Sequence, residues 1–118
     1  MTNLYSSVVS YHTNPYTCGV ARFNQALAKE MRIPLCSVSK FVPSSESISL
    51  LSIKFEEMSA ESAEDLWAQL DQVDAKFDLF LHGVTQSKIE NQYINRARRV
   101  IVATREYAEI VRAQRPDV

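Results

Sequence analysis

The chain has 118 residues, of which 46% are hydrophobic and 23% are charged, and its formal net charge is −1. This length fits one globular domain with a single core. No apolar run approaches the roughly 18 residues of a membrane-spanning helix, and the first ten residues predict a strand rather than a signal peptide.

The charge is unevenly distributed along the chain. Residues 1–45 carry a net charge of +3, residues 46–78 a net charge of −7, and residues 79–118 a net charge of +3. The acidic middle is typical of a solvated helix, and the basic ends could line an anion site. Surface charge alone specifies no ligand, so charges spread over solvated faces remain the simpler interpretation.

The two cysteines, Cys18 and Cys36, are far apart and form neither a metal-binding spacing nor a disulfide framework. Reduced thiols are typical of the cytoplasm, so we expect a cytoplasmic protein.

The first third of the chain predicts a strand, a loop and a helix. Leu4 to Tyr11 is rich in strand-forming residues, and residues 12–17 contain the loop-forming pair Asn14-Pro15. Thr17 can cap the helix that follows, because its hydroxyl can accept from a free backbone N–H. Apolar residues at three- and four-residue steps then predict the buried helix face: Val20, Phe23, Leu27 and Met31.

The middle third predicts two short strands and a second helix. Leu35 to Val38 and Ser49 to Phe55 are the strands, with a serine-rich loop between them. Ser59 or Ser62 can cap the helix. Its apolar stripe comprises Ala63, Leu66, Trp67, Leu70 and Val73, and we interpret Trp67 as a core residue rather than a binding platform.

The last third repeats the alternation. Phe77 to Leu81 is an apolar strand that ends at His82-Gly83, and a helix is predicted over Gln86 to Arg96. Val100 to Ala103 is continuously apolar, which predicts a strand buried on both faces. Thr104 can cap a final helix, which Pro116 ends.

Strands that alternate with amphipathic helices predict right-handed crossovers and a mainly parallel sheet. The expected fold is therefore a Rossmann-like three-layer α/β/α sandwich over residues 1–118. Ligands of such sheets bind at the carboxyl ends of the strands. Residues 12–19, 82–86 and 104–105 should meet there.

Glycine and histidine are scarce, and both types fall at these predicted strand ends. Gly19 opens a helix, where backbone N–H groups attract anions, but a tight turn explains a glycine equally well. His12 and His82 titrate near neutral pH, so either could transfer a proton or hold a hydroxyl group, although a single histidine is commonly structural. Cys18 has no base partner, so nucleophilic catalysis is not predicted.

Several common functions are excluded by missing motifs. The chain has no G-x-G-x-x-G, no P-loop and no G-x-S-x-G. No metal site or resident cofactor is predicted, since the histidines lack a third ligand. Arg105 could reach a phosphate at the carboxyl edge, whereas Arg96, Arg98 and Arg99 should be surface residues at the opposite edge. Stacking aromatics are not interleaved with these arginines, so nucleic-acid binding is not predicted.

Three segments resemble the GT-B-fold glycosyltransferases of the group called family 4 or group 1. Tyr16 to Asn24 (YTCGVARFN) is similar to their glycine-bearing loop and first helix, although Cys18 replaces the first of two usual glycines. Phe77 to Gly83 resembles their Asp-containing strand that ends in histidine. Ala97 to Tyr107 (ARRVIVATREY) resembles their basic residue, apolar strand and Ser/Thr segment. These segments occur in the family's order and span nearly the whole chain.

This resemblance implies the N-terminal, acceptor-side domain of a two-domain enzyme. The loop at Gly19 and Val20 would approach the donor diphosphate, and His82 would lie near the transferred sugar. The ligands would be a nucleotide-sugar and an acceptor in a cleft shared with a C-terminal domain, so the chain alone should be inactive. Membrane association is common in the family, but no basic amphipathic helix predicts it here.

The predicted site therefore has His82 as its catalytic candidate and six ligand-binding candidates: His12, Cys18, Gly19, Val20, Thr104 and Arg105. Two alternatives remain open. One is a stand-alone flavodoxin-like binding or regulatory domain without catalysis. The other is a dimer that builds its site from two copies.

Overall fold

A five-stranded sheet organises the chain in the computed structural model, which describes residues 4–11 and 19–116. The strands are Tyr5–Ser10 (β1), Leu35–Ser37 (β2), Ile48–Ile53 (β3), Lys76–Leu81 (β4) and Val100–Val102 (β5). The helices are Gly19–Met31 (α1), Ala60–Gln72 (α2), Lys88–Arg96 (α3) and Arg105–Gln114 (α4), and a 3-10 turn covers Phe55–Glu57.

All strand pairs are parallel, and the strand order is β2-β1-β3-β4-β5. The prediction of a Rossmann-like α/β/α sandwich is confirmed. This order is the flavodoxin-like one, in which the chain reverses its direction of travel across the sheet between β1 and β3. The register pairs Val9 with Leu51 and Ile53 with Leu81, so β1, β3 and β4 end at the same edge.

Alternating strand residues divide the core into two layers. Val9, Leu51 and Leu79 face one cluster, which we call the α2 face because it contains Leu66. Residues from α3 and α4 join that cluster, namely Tyr93, Ile94 and Val111. The other layer, the α1 face, contains Val8 and Leu50 of the strands and Ala28 of α1. Among the described residues, α1 is the only helix whose buried side chains join this second cluster.

The buried face of α1 differs from the predicted one. The helix buries Ala21, Asn24 and Ala28, whereas Phe23 of the predicted stripe is 41% exposed. Small side chains at the centre let the helix lie close to the sheet. The bulkier residues of the stripe then flank that contact, where Leu27 and Met31 are half-buried.

The expectation that β5 is buried on both faces is wrong. Val100 and Val102 are half-buried against the α2 face, but Ile101 points the other way and is 38% exposed. The physical reason is position, because β5 is an edge strand and none of its residues joins the cluster on the α1 face.

The predicted helix starts at Ser59 and Thr104 are confirmed. The Ser59 side chain accepts from the backbone N–H of Ser62, and that of Thr104 accepts from Tyr107. The core interpretation of Trp67 is also supported, because its half-buried ring packs edge-on against Tyr93 at 5.2 Å between ring centroids.

Candidate ligand site at the carboxyl edge of the sheet

His82 lies at the carboxyl end of β4, on the edge where β1 and β3 also end. Its backbone N–H donates to the carbonyl of Ile53 at 3.2 Å, which extends the strand pairing one residue beyond Leu81. The side chain is half-buried and lies on the α1 face, next to Phe80. The structure thus places this histidine where ligands of parallel sheets bind.

A buried polar network holds one side of the His82 ring. Its Nε2 lies 2.7 Å from the hydroxyl oxygen of Ser52, and that hydroxyl lies 2.5 Å from Oδ1 of Asn24. The Asn24 amide nitrogen donates to the Ser10 hydroxyl at 2.8 Å and to the Ser52 carbonyl at 3.0 Å. Ser10, Asn24 and Ser52 are all fully buried.

The sheet and α1 bring these residues together. Ser10 is the last residue of β1, and Ser52 is the second-last residue of the neighbouring β3. Asn24 comes from the middle of the buried face of α1, which crosses above both strands. No buried side-chain nitrogen or oxygen in the described part of the chain lacks a hydrogen bond, so this network is satisfied.

Two aromatic rings border the other side of His82. Phe80 lies at 4.8 Å and Phe23 at 5.0 Å between ring centroids, the latter edge-on. Burial lowers the pKa of His82, and the positive charge of Lys54 lowers it further, while the negative charge of Glu57 partly opposes them. The imidazole therefore favours its neutral form more than a histidine in water does.

Charged side chains from the segment that follows β3 lie close to Gly83, the residue after His82. A Cβ built on Gly83 would come within 2.5 Å of Oε1 of Glu56, whose side chain is exposed and flexible. Lys54 lies 4.0 Å from Glu56 and 3.4 Å from Glu57. The glycine therefore lets a carboxylate approach the backbone beside His82, and its φ is not positive.

Gly19 is the first residue of α1, as the loop-to-helix prediction required. A Cβ built there would meet nothing within 4 Å, and its φ is not positive, so the described residues give no steric reason for a glycine. The neighbouring Val20 is half-buried. The role of both residues in binding a ligand stays a prediction. His12, Thr17 and Cys18 lie outside the described residues.

Thr104 and Arg105 follow β5, two strand positions away from β3 in the sheet. Thr104 caps α4 through a 3.1 Å hydrogen bond from the backbone N–H of Tyr107, and both residues are exposed. Within the described residues, no hydrogen bond or ring contact joins either of them to His82. Their roles in ligand binding also stay predictions.

Arg98 is exposed at the opposite edge of the sheet, as expected, and it also forms an ion pair that was not predicted. Its guanidinium donates from Nε and Nη2 to the two oxygens of Asp78, at 3.0 and 2.9 Å. Asp78 is fully buried in β4 and also accepts from the Tyr5 hydroxyl at 2.6 Å. Arg96 is paired too, since it donates to Asp71 and Asp74. These arginines stabilise the opposite edge of the sheet.

A small cavity of about 230 Å³ lies at the carboxyl ends of β1 and β2, on the α2 face. Its polar lining includes Tyr11, Ser39, Ser62, Asp65 and Gln69. Hydrogen bonds from Ser59 and Ser62 lower the pKa of the Tyr11 hydroxyl. Hydroxyl, amide and carboxylate groups therefore line one cavity at the carboxyl edge of the sheet.

Comparisons of the chain with protein-family models, with curated proteins and with solved structures found no match. Over residues 4–11 and 19–116, no helix is both long and apolar enough to cross a membrane. Nor do three or more His, Cys, Asp or Glu side chains come together as metal ligands in those residues.

Sequence reasoning missed Asn24, Ser10 and Ser52 as parts of the site. The available signal was position: Asn24 interrupts an otherwise apolar helix face, and each serine stands near the end of a strand. Polar side chains at such positions are buried only where each has a hydrogen-bond partner.

Proposed function

We propose that the chain is the acceptor-side N-terminal part of a glycosyltransferase that moves a sugar from a nucleotide diphosphate to an acceptor hydroxyl. The observation that carries this proposal is His82, held by buried hydrogen bonds at the carboxyl edge beside α1, whose first residue is Gly19. Ligands of open α/β sheets bind at the point where the chain reverses direction across the sheet, which here lies between β1 and β3, next to the strand that His82 follows.

The groups at this edge suit both the sugar donor and the acceptor of the transfer. The first-turn amides of α1 favour an anion, so they would stabilise the diphosphate that leaves when the bond to the sugar breaks. His82 would lie against the sugar and orient one of its hydroxyl groups. The polar cavity beside Tyr11 offers hydroxyl, amide and carboxylate groups to an acceptor.

The edge also has the character of a cleft wall. Phe23 is 41% exposed and its ring packs against that of His82. An exposed aromatic ring beside a polar site offers apolar surface that a ligand or another domain can cover. This fits the second domain that a GT-B enzyme requires.

The proposal is tested on the natural gene product. An antibody to this domain should detect, in denatured cell extract, a polypeptide well above 13.4 kDa. That purified protein should release nucleoside diphosphate from a UDP- or GDP-sugar when acceptors are supplied. His82→Ala should lower this rate at least tenfold, while Glu109→Ala, an exposed change on α4, should not. Equal rates for the His82→Ala protein and wild type would refute the role of the histidine.

The strand order favours one other candidate, a stand-alone flavodoxin-like binding domain. In that case the natural product has the mass of this chain and transfers no sugar. Its ligands would still bind at the carboxyl edge, and amide resonances of Gly19, Val20 and Gly83 would report them in a ligand screen by NMR.

A further inference from the structure

The hydrogen bonds around Asn24 determine which way its amide points. One terminal atom of the amide lies 3.0 Å from the backbone carbonyl oxygen of Ser52. A carbonyl oxygen can only accept, so this atom must be the NH₂ nitrogen. The other terminal atom, 2.5 Å from the Ser52 hydroxyl, is therefore the Asn24 carbonyl oxygen.

Donor and acceptor roles also determine where the Ser52 hydroxyl hydrogen points. An amide oxygen can only accept, so the Ser52 hydroxyl donates its single hydrogen to Asn24. The hydroxyl oxygen can then only accept from the third neighbour, Nε2 of His82 at 2.7 Å. The hydrogen of a neutral His82 ring must therefore be on Nε2.

The remaining ring nitrogen, Nδ1, has no hydrogen-bond partner among the described residues. It is not fully buried either, because every fully buried side-chain nitrogen or oxygen in the described part of the chain has a hydrogen-bond partner. Nδ1 is therefore at least partly exposed, in keeping with the half-buried side chain, and in this tautomer it carries a lone pair.

We propose that Asn24 and Ser52 are positioning residues that fix His82 as the Nε2–H tautomer, so that Nδ1 accepts a hydrogen bond from a ligand hydroxyl. The tautomer follows from the hydrogen bonds alone, and only the identity of the ligand rests on the proposed function. The arrangement explains why an asparagine is buried in α1, where an alanine or leucine would form a better helix. It also predicts that Nδ1 of His82 binds a hydrogen-bond donor rather than a bare anion at neutral pH.

The test is the ¹⁵N NMR spectrum of the His82 ring in the isolated chain at pH 7.5. We expect one nitrogen with the shift of a protonated ring atom, one with that of an unprotonated ring atom, and a slowly exchanging Nε2–H signal. In Ser52→Ala the two ¹⁵N shifts should move towards each other, because the tautomers then interconvert, and the Nε2–H signal should be lost. Ser52→Thr, which restores a hydroxyl, should restore the wild-type pattern.

Ser49→Ala is the matched control, since it removes another buried serine hydroxyl from β3 at a position that does not contact His82. Its ring spectrum should equal that of wild type. A wild-type ring that carries its hydrogen on Nδ1, or that averages between tautomers, overturns the inference even if Ser52→Ala fails to fold. No substrate is present in this experiment, so its failure and the failure of the transfer assay are independent.

Discussion

Asp78 is the one acidic residue within the apolar strand β4, and its environment separates it from an ordinary surface carboxylate. Its side chain is fully buried, whereas the side chain of its partner Arg98 is 37% exposed. Burial raises the pKa of Asp78, but hydrogen bonds from Arg98 and Tyr5 outweigh burial and lower it overall. The loss of one partner should therefore cost more stability than the loss of the other. Water can solvate Arg98 without the pair, but it does not reach the Asp78 carboxylate.

This inequality predicts the order of two substitutions. Asp78→Asn leaves Arg98 in contact with water and should lower the free energy of unfolding by about 1–3 kcal/mol, as for a lost hydrogen bond to a charged group. Arg98→Ala should cost more, since it leaves a buried carboxylate without its counter-charge. Urea denaturation of both variants at pH 7 measures the order. If Asp78→Asn were the worse of the two, the account of burial would be wrong.

The pH dependence of the Arg98→Ala deficit has a definite sign. The wild-type pair stabilises the fold above the unfolded carboxyl pKa of about 3.9, and this contribution is lost as the pH falls through the lower folded-state pKa. In Arg98→Ala, protonation of the buried Asp78 removes its unpaired charge and so recovers part of the lost stability. The difference from wild type should therefore shrink as the pH falls towards and below about 4, and a constant difference would exclude the ion pair as its cause.

At the scale of an element, the turn between β4 and α3 depends on Glu90. The backbone N–H of Glu90 donates to the hydroxyl of Ser87, the residue that caps α3. The fully buried Glu90 carboxylate accepts in return from the backbone N–H groups of Thr85 and Gln86 and from the Thr85 hydroxyl. This arrangement is a capping box in which the Glu90 carboxylate binds backbone N–H groups that precede the cap residue Ser87. It therefore orders the turn that follows His82.

Glu90→Ala should lower the free energy of unfolding by about 2–4 kcal/mol, because a cap partner is lost and part-buried donors are left unpaired. Amide hydrogen exchange at Thr85 and Gln86 should also become faster. The matched control is Glu61→Ala, an exposed glutamate in the first turn of α2, whose loss should cost less than about 1 kcal/mol. Equal losses in the two variants would show that the carboxylate acts only on the helix dipole.

The elements themselves could be predicted from the sequence, because apolar spacing reports helix and strand periods directly. The position of His82 followed as well, since a residue directly after a buried parallel strand must lie at the sheet edge. The partners of His82 could not be predicted. Ser52 and Asn24 are 28 residues apart, and only the strand order brings β3 beneath α1.

Burial of whole faces was harder to predict than the elements. An apolar run such as Val100 to Val102 does not indicate whether helices cover one face of the strand or both faces. That depends on which strand is at the edge and on where α1 crosses, which are properties of the complete sheet. The same limitation applies to Phe23, which has helical spacing but lies beside the site instead of beneath the helix.

For the whole molecule, the two faces of the sheet are covered to different extents. Helices α2, α3 and α4 contribute to the core on the α2 face, whereas α1 covers the other face in the described residues. His82 and the rings beside it lie on the less covered face, where Phe80 and His82 are only half-buried. His82 therefore couples the site to global stability, because it is buried enough to resist protonation and open enough to be titrated.

This coupling predicts how stability responds to pH. The folded-state pKa of His82 is lowered by burial and by Lys54, so the unfolded chain, with a histidine pKa of about 6.5, binds its proton more readily. The contribution of His82 is then complete above about pH 6.5 and is lost as the pH falls through the folded-state pKa. The unfolding free energy, measured by urea denaturation from pH 7.5 to pH 5, should fall more steeply in wild type than in His82→Gln. Both proteins retain His12, so its titration cancels in the difference. Parallel curves would mean that His82 has the same pKa in the folded and unfolded chain, and hence that burial against Phe80 and Phe23 does not disfavour its charge.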